Sequence, residues 1–173
     1  SLMMPFICSC PACYCNTILT HVDRAAQAVE LSSIVSETGA RSQPAHCDTE
    51  AEQGDGRLLT AFVALDDVVA SMGPTLVWPG THLTSFHQEL AARGPAALHA
   101  RCGYRLDLRK GDVALLDSRL WHCGGPNTSG RQRCLLVASF GPPAGSPLPS
   151  GSTYSLLPHL VGKHTLRTLR AHT

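Results

Sequence analysis

Short apolar stretches separated by turn-forming residues dominate the pattern along this chain. Leu58–Asp66 (LLTAFVALD) gives the strongest buried-strand signal, and Val113–Leu116 and Leu135–Phe140 have a similar β-forming, apolar composition. Further short strands are expected at Leu31–Val35, Leu76–Trp78 and Tyr104–Leu108. Many short strands with little helix predict a mainly β protein, built as a sandwich or a double-stranded barrel.

The remaining segments give weaker signals. Residues 17–30 carry mixed helix and strand character, and a helix is expected over roughly residues 82–93. The pattern divides the chain into an N-terminal cysteine-rich segment of uncertain order (1–27), a β core (28–141), and a Pro/Gly/Ser-rich loop with a C-terminal helix (142–173).

Composition limits the classes of partner. The 173 residues have a formal net charge of +1 and no Lys/Arg block, so no nucleic-acid partner is expected. The sequence has no apolar run of the roughly 18 residues that a membrane span needs, so no membrane partner is expected. Because the chain begins with Ser1 and not with Met, we expect that it is N-terminally truncated. Compartment and oligomeric state are left open.

Four cysteines lie close together near the N-terminus, in the stretch CSCPACYC: Cys8, Cys10, Cys13 and Cys15. Such a cluster could hold Zn(II) or Cu(I) through thiolates. The spacing is too tight for a zinc ribbon, however, and no second CxxC or His pair follows at the usual distance. A loosely packed segment is the favoured interpretation, and a thiolate metal-storage protein is a distant alternative.

Two separate segments of the chain offer side chains that could bind a metal. In PAHCDTE, Pro44 favours extended backbone, and residues i and i+2 of an extended segment point to the same side. His46 and Asp48 are therefore expected to face one cavity. His122 stands at the end of another extended piece, directly before GGPNTSG, which is interpreted as a hairpin connection to a strand that carries Arg133.

Each of these signals is weak alone, because the chain has nine His residues and structural histidines are common. In combination they are more informative. Two imidazoles and one carboxylate leave open positions on an octahedral metal, as in non-haem Fe(II) oxygenases. Zinc would favour four-coordinate closure and has no redox chemistry. A nearby guanidinium suits a metal that binds an anionic co-substrate.

Three blocks of the chain together resemble one family. AHCD, FVALDDVVASMGPTLVWPGTHL and YRLDLRKGDVALLDSRLWHCGGPNTSGRQR occur in the order typical of the phytanoyl-CoA dioxygenase family of Fe(II)/2-oxoglutarate-dependent oxygenases. The resemblance covers roughly residues 28–141. It implies a double-stranded β-helix, also called a jelly roll or cupin-like fold, with a few short helices. This agrees with the strand pattern.

The resemblance also implies roles for particular residues. His46, Asp48 and His122 correspond to the iron ligands. Arg133 corresponds to the residue that pairs with the distal carboxylate of 2-oxoglutarate, with Arg131 as the nearer rival. Phe62 lies where the family often has an aromatic residue beside the co-substrate.

The activity implied is hydroxylation of a C–H bond in a small organic or lipid-like substrate, with Fe(II), 2-oxoglutarate and O₂ as cofactor and co-substrates. 2-Oxoglutarate would be decarboxylated to succinate. A carboxylate at Asp48 favours hydroxylation, because related halogenases have a small residue there. The alternative is a catalytically impaired cupin-like binding or structural domain. The truncated start supports it, as does Cys47, which stands where a glutamine is expected.

Overall fold

The computed structural model describes residues 6–8, 25–50, 57–150, 152 and 155–165, and of residues 6–8 only the backbone. The strands are β1 (Phe6–Cys8), β2 (Ala26–Ser36), β3 (Leu59–Ala64), β4 (Thr75–Val77), β5 (Tyr104–Leu106), β6 (Val113–Asp117), β7 (His122–Gly124) and β8 (Arg133–Pro143). The α-helices are α1 (Thr84–Arg93) and α2 (Ala96–His99). Short 3₁₀ turns span Ala70–Met72 and Pro158–Leu160.

The strands form two antiparallel sheets. The larger sheet has the order β1-β6-β3-β8-β2, and the smaller sheet has the order β5-β4-β7. Strand β3 lies at the centre of the larger sheet, and Val63 is its only residue that is not buried. The apolar run read from the sequence is therefore a central strand that is covered on both faces. The mainly β prediction is confirmed.

One apolar core joins the two sheets. Phe62, Leu116 and Val137 enter it from the larger sheet, and Val77 and Leu106 enter it from the smaller sheet. Because successive strand residues face opposite sides, every second residue of β8 from position 133 to position 139 is buried. This inward row forms one wall of the space between the sheets.

The prediction of a hairpin between His122 and Arg133 is wrong. Strand β7 pairs with β4 in the smaller sheet, whereas β8 pairs with β2 and β3 in the larger sheet. The GGPNTSG segment therefore crosses from one sheet to the other. Turn-forming residues indicate a change of direction but not which strand is the partner.

The crossing segment is fixed by the fully buried Asn127. Its Nδ2 donates to the carbonyl oxygens of Ser36 and Arg131, and its Oδ1 accepts hydrogen bonds from Ser129. These bonds hold the start of β8 against the end of β2 and so set the position of Arg133.

Other predicted strand and helix boundaries differ from the structure in smaller ways. His122 begins β7 and does not end a strand, β8 continues through Gly141–Pro143, and helix α2 was not predicted. In the cysteine-rich segment, the backbone of β1 pairs with β6, while Cys10, Cys13 and Cys15 lie outside the described residues. In the part of the chain that the structure describes, every helix is too short or too polar to cross a bilayer.

Candidate metal and co-substrate site

His46 and His122 lie directly opposite each other on antiparallel backbone segments. The His46 N–H donates to the His122 carbonyl at 3.0 Å, and the His122 N–H donates to the His46 carbonyl at 2.8 Å. This reciprocal bonding places the two side chains next to each other on one face. Their ring centroids are 4.5 Å apart.

Backbone hydrogen bonds position Asp48 beside the two imidazole rings. Its N–H donates to the carbonyl of Ser118 at 2.8 Å, and the Thr49 N–H donates to the same oxygen at 3.2 Å. As a result, Asp48 Oδ1 lies 3.7 Å from Nε2 of His46 and 3.7 Å from Nε2 of His122. Potential ligand atoms of these three residues all lie within 4.8 Å of one another.

The tautomers of both imidazoles suit metal binding. Nδ1 of His46 is 3.0 Å from the Pro44 carbonyl, and Nδ1 of His122 is 2.9 Å from the Leu120 carbonyl. A carbonyl only accepts, so each Nδ1 carries a proton and donates it, and Nε2 is the nitrogen of each ring that is left for a metal.

Electrostatics favours the neutral form of the deeper imidazole. Burial lowers the pKa of His122, although the charge of Asp48 acts in the opposite direction. Two imidazole nitrogens and a carboxylate oxygen that converge in this way form a donor set that a divalent cation would stabilise. These residues therefore fit a non-haem iron.

A cavity of about 130 Å³ opens beside these three residues. Arg133 lies in its wall with 4% of its surface exposed, and its Nε and Nη1 have no hydrogen-bond partner among the described residues. Burial lowers the pKa of Arg133, but a guanidinium remains protonated at neutral pH. The cavity therefore contains a buried cation with unused donors.

Phe62 and Arg131 have different positions relative to this cavity. Phe62 lines it and contacts the His122 ring edge-on, with centroids 6.2 Å apart. Arg131 is exposed and does not line the cavity. The structure thus brings together His46, Asp48, His122, Arg133 and Phe62, and it leaves Arg131 outside.

Gln43 was not among the predicted site residues, but it lines the same cavity. Its backbone N–H and its side-chain Oε1 both bond to Gly124, at 2.9 and 2.8 Å. A Cβ on Gly124 would lie 2.9 Å from Gln43 Oε1 and 3.1 Å from Arg133 Nη2. The absence of a side chain at Gly124 therefore lets both groups pack into the wall of the cavity. No periodic pattern marks either residue.

Sequence analysis also missed Glu30, which lines the same cavity from β2. It falls in the stretch of mixed helix and strand signals. The residues that share its face of the strand, Ser32, Ile34 and Ser36, mix polar and apolar side chains, so no alternation marked this face.

Two facing antiparallel sheets with a His–Asp–His triad and a buried arginine define the class of non-haem iron, cupin-like proteins. The family model described as Phytanoyl-CoA dioxygenase (PhyH) matches residues 12–134. The chain belongs to this family.

Solved structures with a similar fold include AviO1 from Streptomyces viridochromogenes Tue57, at 25% identity and a TM-score of 0.60, over 72% of this chain and 54% of that protein. The non-heme alpha ketoglutarate dependent carbocyclase SnoK from nogalamycin biosynthesis matches at 23% identity and a TM-score of 0.60, over 73% of this chain and 53% of that one. The chain therefore spans about half the length of these proteins.

These findings confirm the family and the jelly-roll fold predicted from the sequence. The predicted cofactors Fe(II), 2-oxoglutarate and O₂ are those that the family uses. The roles of the individual site residues remain predictions that the geometry supports.

Proposed function

We propose that this chain forms the core of an Fe(II)/2-oxoglutarate-dependent oxygenase that hydroxylates a C–H bond of a small organic substrate. The observation that carries the proposal is the convergence of His46, Asp48 and His122 beside a cavity lined by Arg133, whose Nε and Nη1 have no hydrogen-bond partner among the described residues. Membership of the PhyH family supports the same chemistry.

Three side chains would hold the metal. His46 and His122 would contribute Nε2, and Asp48 would contribute a carboxylate oxygen, while the Nδ1 bonds to backbone carbonyls keep both rings oriented. When bound, Fe(II) with 2-oxoglutarate and O₂ supplies the oxidising chemistry that yields succinate, CO₂ and a hydroxylated product.

Arg133 would fix the far end of 2-oxoglutarate. A guanidinium can grip a carboxylate through two parallel N–H···O bonds, and Nε and Nη1 of Arg133 have no other partner among the described residues. Phe62 would contribute an apolar surface to this cavity, where its ring contacts that of His122.

Hydroxylation is the reaction that the donor set favours. Asp48 fills the ligand position that a halide would need in a halogenase, so substrate oxidation is expected to end with a hydroxyl group. Structures of similar fold include proteins described as a carbocyclase and as an epimerase. The product should therefore be identified directly by mass spectrometry with ¹⁸O₂.

The first test measures succinate formed from 2-oxoglutarate by the Fe(II)-loaded protein, without added substrate, since slow uncoupled decarboxylation does not require one. Asp48→Ala should reduce the rate to background, because the triad loses its only charged ligand. Asp107→Ala is the matched control, since Asp107 is an exposed carboxylate that pairs with Arg105.

Equal rates in the two aspartate variants would refute the ligand assignment. If the wild-type protein takes up no iron and 2-oxoglutarate does not raise its melting temperature, the catalytically impaired domain is the correct interpretation.

A further inference from the structure

A second cavity lies next to the metal site and differs from it in chemistry. It has a volume of about 220 Å³ and shares Glu30, Asp48 and Thr60 with the cavity that contains Arg133. Five of its lining residues carry hydroxyl groups, two carry carboxylates and two are aliphatic: Thr49, Thr60, Ser139, Ser152, Ser155, Glu30, Asp48, Val29 and Leu58. None of these described lining residues carries a positive charge.

The Glu30 carboxylate is oriented by a chain of hydroxyl groups. Ser139 Oγ donates to Oε2 at 2.6 Å, and Ser32 Oγ donates to Oε1 at 2.8 Å. Because Ser139 has given its only proton to Glu30, Thr60 Oγ1 must be the donor in the 2.9 Å contact with Ser139. These bonds fix the carboxylate in the wall of the cavity.

Two features leave Glu30 able to bind a ligand. An ionised carboxylate can accept about four hydrogen bonds, and side chains of the described residues donate two to Glu30. Within residues 25–50, 57–150, 152 and 155–165, Glu30 forms no ion pair with Lys, Arg or His. A donor on a ligand could therefore occupy the remaining acceptor positions.

The inner face of the larger sheet consequently carries a negative group at one end and a positive group at the other. Glu30 pairs with Ser139 near one end of β8, while Arg133 lies at the other end on the same face. At about 3.3 Å per residue, the six steps from position 133 to position 139 separate these ends by about 20 Å. Asp48 lines both cavities.

We propose that the second cavity is the substrate chamber and that Glu30 recognises a hydrogen-bond donor, a hydroxyl or a protonated amine, on a small polar substrate. This rests on the proposed function, which places 2-oxoglutarate at the Arg133 end. An anionic group, such as a free carboxylate, is disfavoured beside Glu30 by like-charge repulsion. The aliphatic side chains of Val29 and Leu58 contact the hydrocarbon part of the substrate.

The test uses three probes that share one ring: cyclohexylamine, cyclohexanol and cyclohexanecarboxylate. Each is titrated into the ¹⁵N-labelled chain with Zn(II), a diamagnetic substitute for iron, and 2-oxoglutarate. We expect cyclohexylamine to bind at least tenfold more tightly than the carboxylate, with cyclohexanol between them. The amide resonances of Thr60 and Ser139 should shift, and those of Gly124 and Arg133 should not.

The variant Glu30→Gln should reduce cyclohexylamine affinity at least tenfold. Glu37→Gln removes the same charge from an exposed position and should leave the affinity unchanged. Equal affinity for the three probes, or equal effects of the two substitutions, would overturn the proposal. If Glu30→Gln does not fold, the probe ranking and the shifted resonances of the wild-type chain decide alone.

The same samples separate this inference from the proposed function. 2-Oxoglutarate alone with Zn(II) should shift the resonances of Gly124 and Arg133. If it does so while the probes show no preference, the chamber assignment fails and the oxygenase proposal stands. If the amine binds near Ser139 but 2-oxoglutarate does not bind, the oxygenase proposal fails and the chemistry assigned to the Glu30 cavity stands.

Discussion

Two buried charged side chains, Asp117 and Arg133, differ in the hydrogen-bond partners that surround them. Asp117 accepts hydrogen bonds from Arg119 Nε and Nη2 at 2.8 and 2.7 Å and from Arg57 Nη2 at 3.3 Å. Arg133 is equally buried, yet its Nε and Nη1 have no partner in the described part of the chain. The Asp117 charge is therefore paired within the described part of the chain, whereas two donors of Arg133 have no acceptor there.

The pKa shifts show the same contrast. Burial tends to raise the pKa of Asp117, but the hydrogen bonds from Arg119 and the charge of Arg57 lower it overall. For Arg133, burial lowers the pKa and no neighbour opposes it. An unpaired buried charge destabilises the folded chain. We therefore expect Asp117 to stabilise the fold, and we expect Arg133 to lower stability unless an anion, in our proposal 2-oxoglutarate, binds to it.

Removal of the paired charge should have the largest effect on stability. Asp117→Ala would remove the buried carboxylate that accepts hydrogen bonds from Arg119 and Arg57. We expect the free energy of unfolding to fall by about 3 kcal/mol, as is typical when one partner of a buried ion pair is lost. Urea denaturation measures this.

The control for that variant is Asp107→Ala, which breaks an ion pair with Arg105 whose side chains are 49% and 53% exposed. It should lower the free energy of unfolding by less than about 1 kcal/mol. Equal losses in the two variants would show that burial does not distinguish the pairs.

Removal of the unpaired charge should affect binding and not stability. Arg133→Met keeps an unbranched side chain but has no donors, so we expect 2-oxoglutarate to bind at least about 100-fold more weakly, equivalent to about 2.7 kcal/mol. Without 2-oxoglutarate, the free energy of unfolding should be unchanged or higher. Arg131→Met, at an exposed position, should alter neither quantity.

A marked loss of stability in Arg133→Met would indicate that this guanidinium has an internal partner. The comparison with Asp117 would then lose its basis.

Changing Gly124, which packs against the Arg133 guanidinium, should have a smaller effect on 2-oxoglutarate binding. In Gly124→Ala the new Cβ would press on Gln43 Oε1 and Arg133 Nη2, at 2.9 and 3.1 Å, so both side chains must move. We expect KM for 2-oxoglutarate to rise about tenfold, or about 1.4 kcal/mol, with kcat for uncoupled succinate formation nearly unchanged.

Gly130→Ala is the matched control for that variant, because its Cβ would meet no atom within 4 Å. If Gly124→Ala and Gly130→Ala have the same KM, close packing at Gly124 does not position Arg133.

Lowering the pH should produce the smallest effect on the free energy of unfolding. The pKa of Asp117 is lowered in the folded chain, so its contribution to stability is fully present above its ordinary pKa of 3.8. It is lost as the pH falls through the lower folded value. The free energy of unfolding of the wild type should thus decrease in this acid range more steeply than that of Asp117→Asn. Parallel pH dependences would contradict the stabilising role of this carboxylate.

The sequence could predict what depends on local pattern. The central strand β3, the helix α1 and the shared face of His46 and Asp48 follow from apolar runs and from the two-residue period of extended backbone. The resemblance of three blocks to a family predicted the jelly roll.

The sequence could not predict what depends on pairing between distant segments. The crossing of GGPNTSG between sheets is determined by which strands bond to β7 and β8, and turn residues do not encode that choice. For the same reason, nothing local showed that Glu30 shares a cavity with Asp48, or that two Arg133 nitrogens have no hydrogen-bond partner among the described residues.

The most direct test of the central claim is a calorimetric titration of 2-oxoglutarate into the chain under anaerobic conditions, with and without Fe(II). We expect one molecule to bind per chain when Fe(II) is present, with affinity at least tenfold weaker when it is absent and nearly abolished in His122→Ala. Binding of equal strength with and without Fe(II), or binding unaffected by His122→Ala, would contradict the assignment of this site.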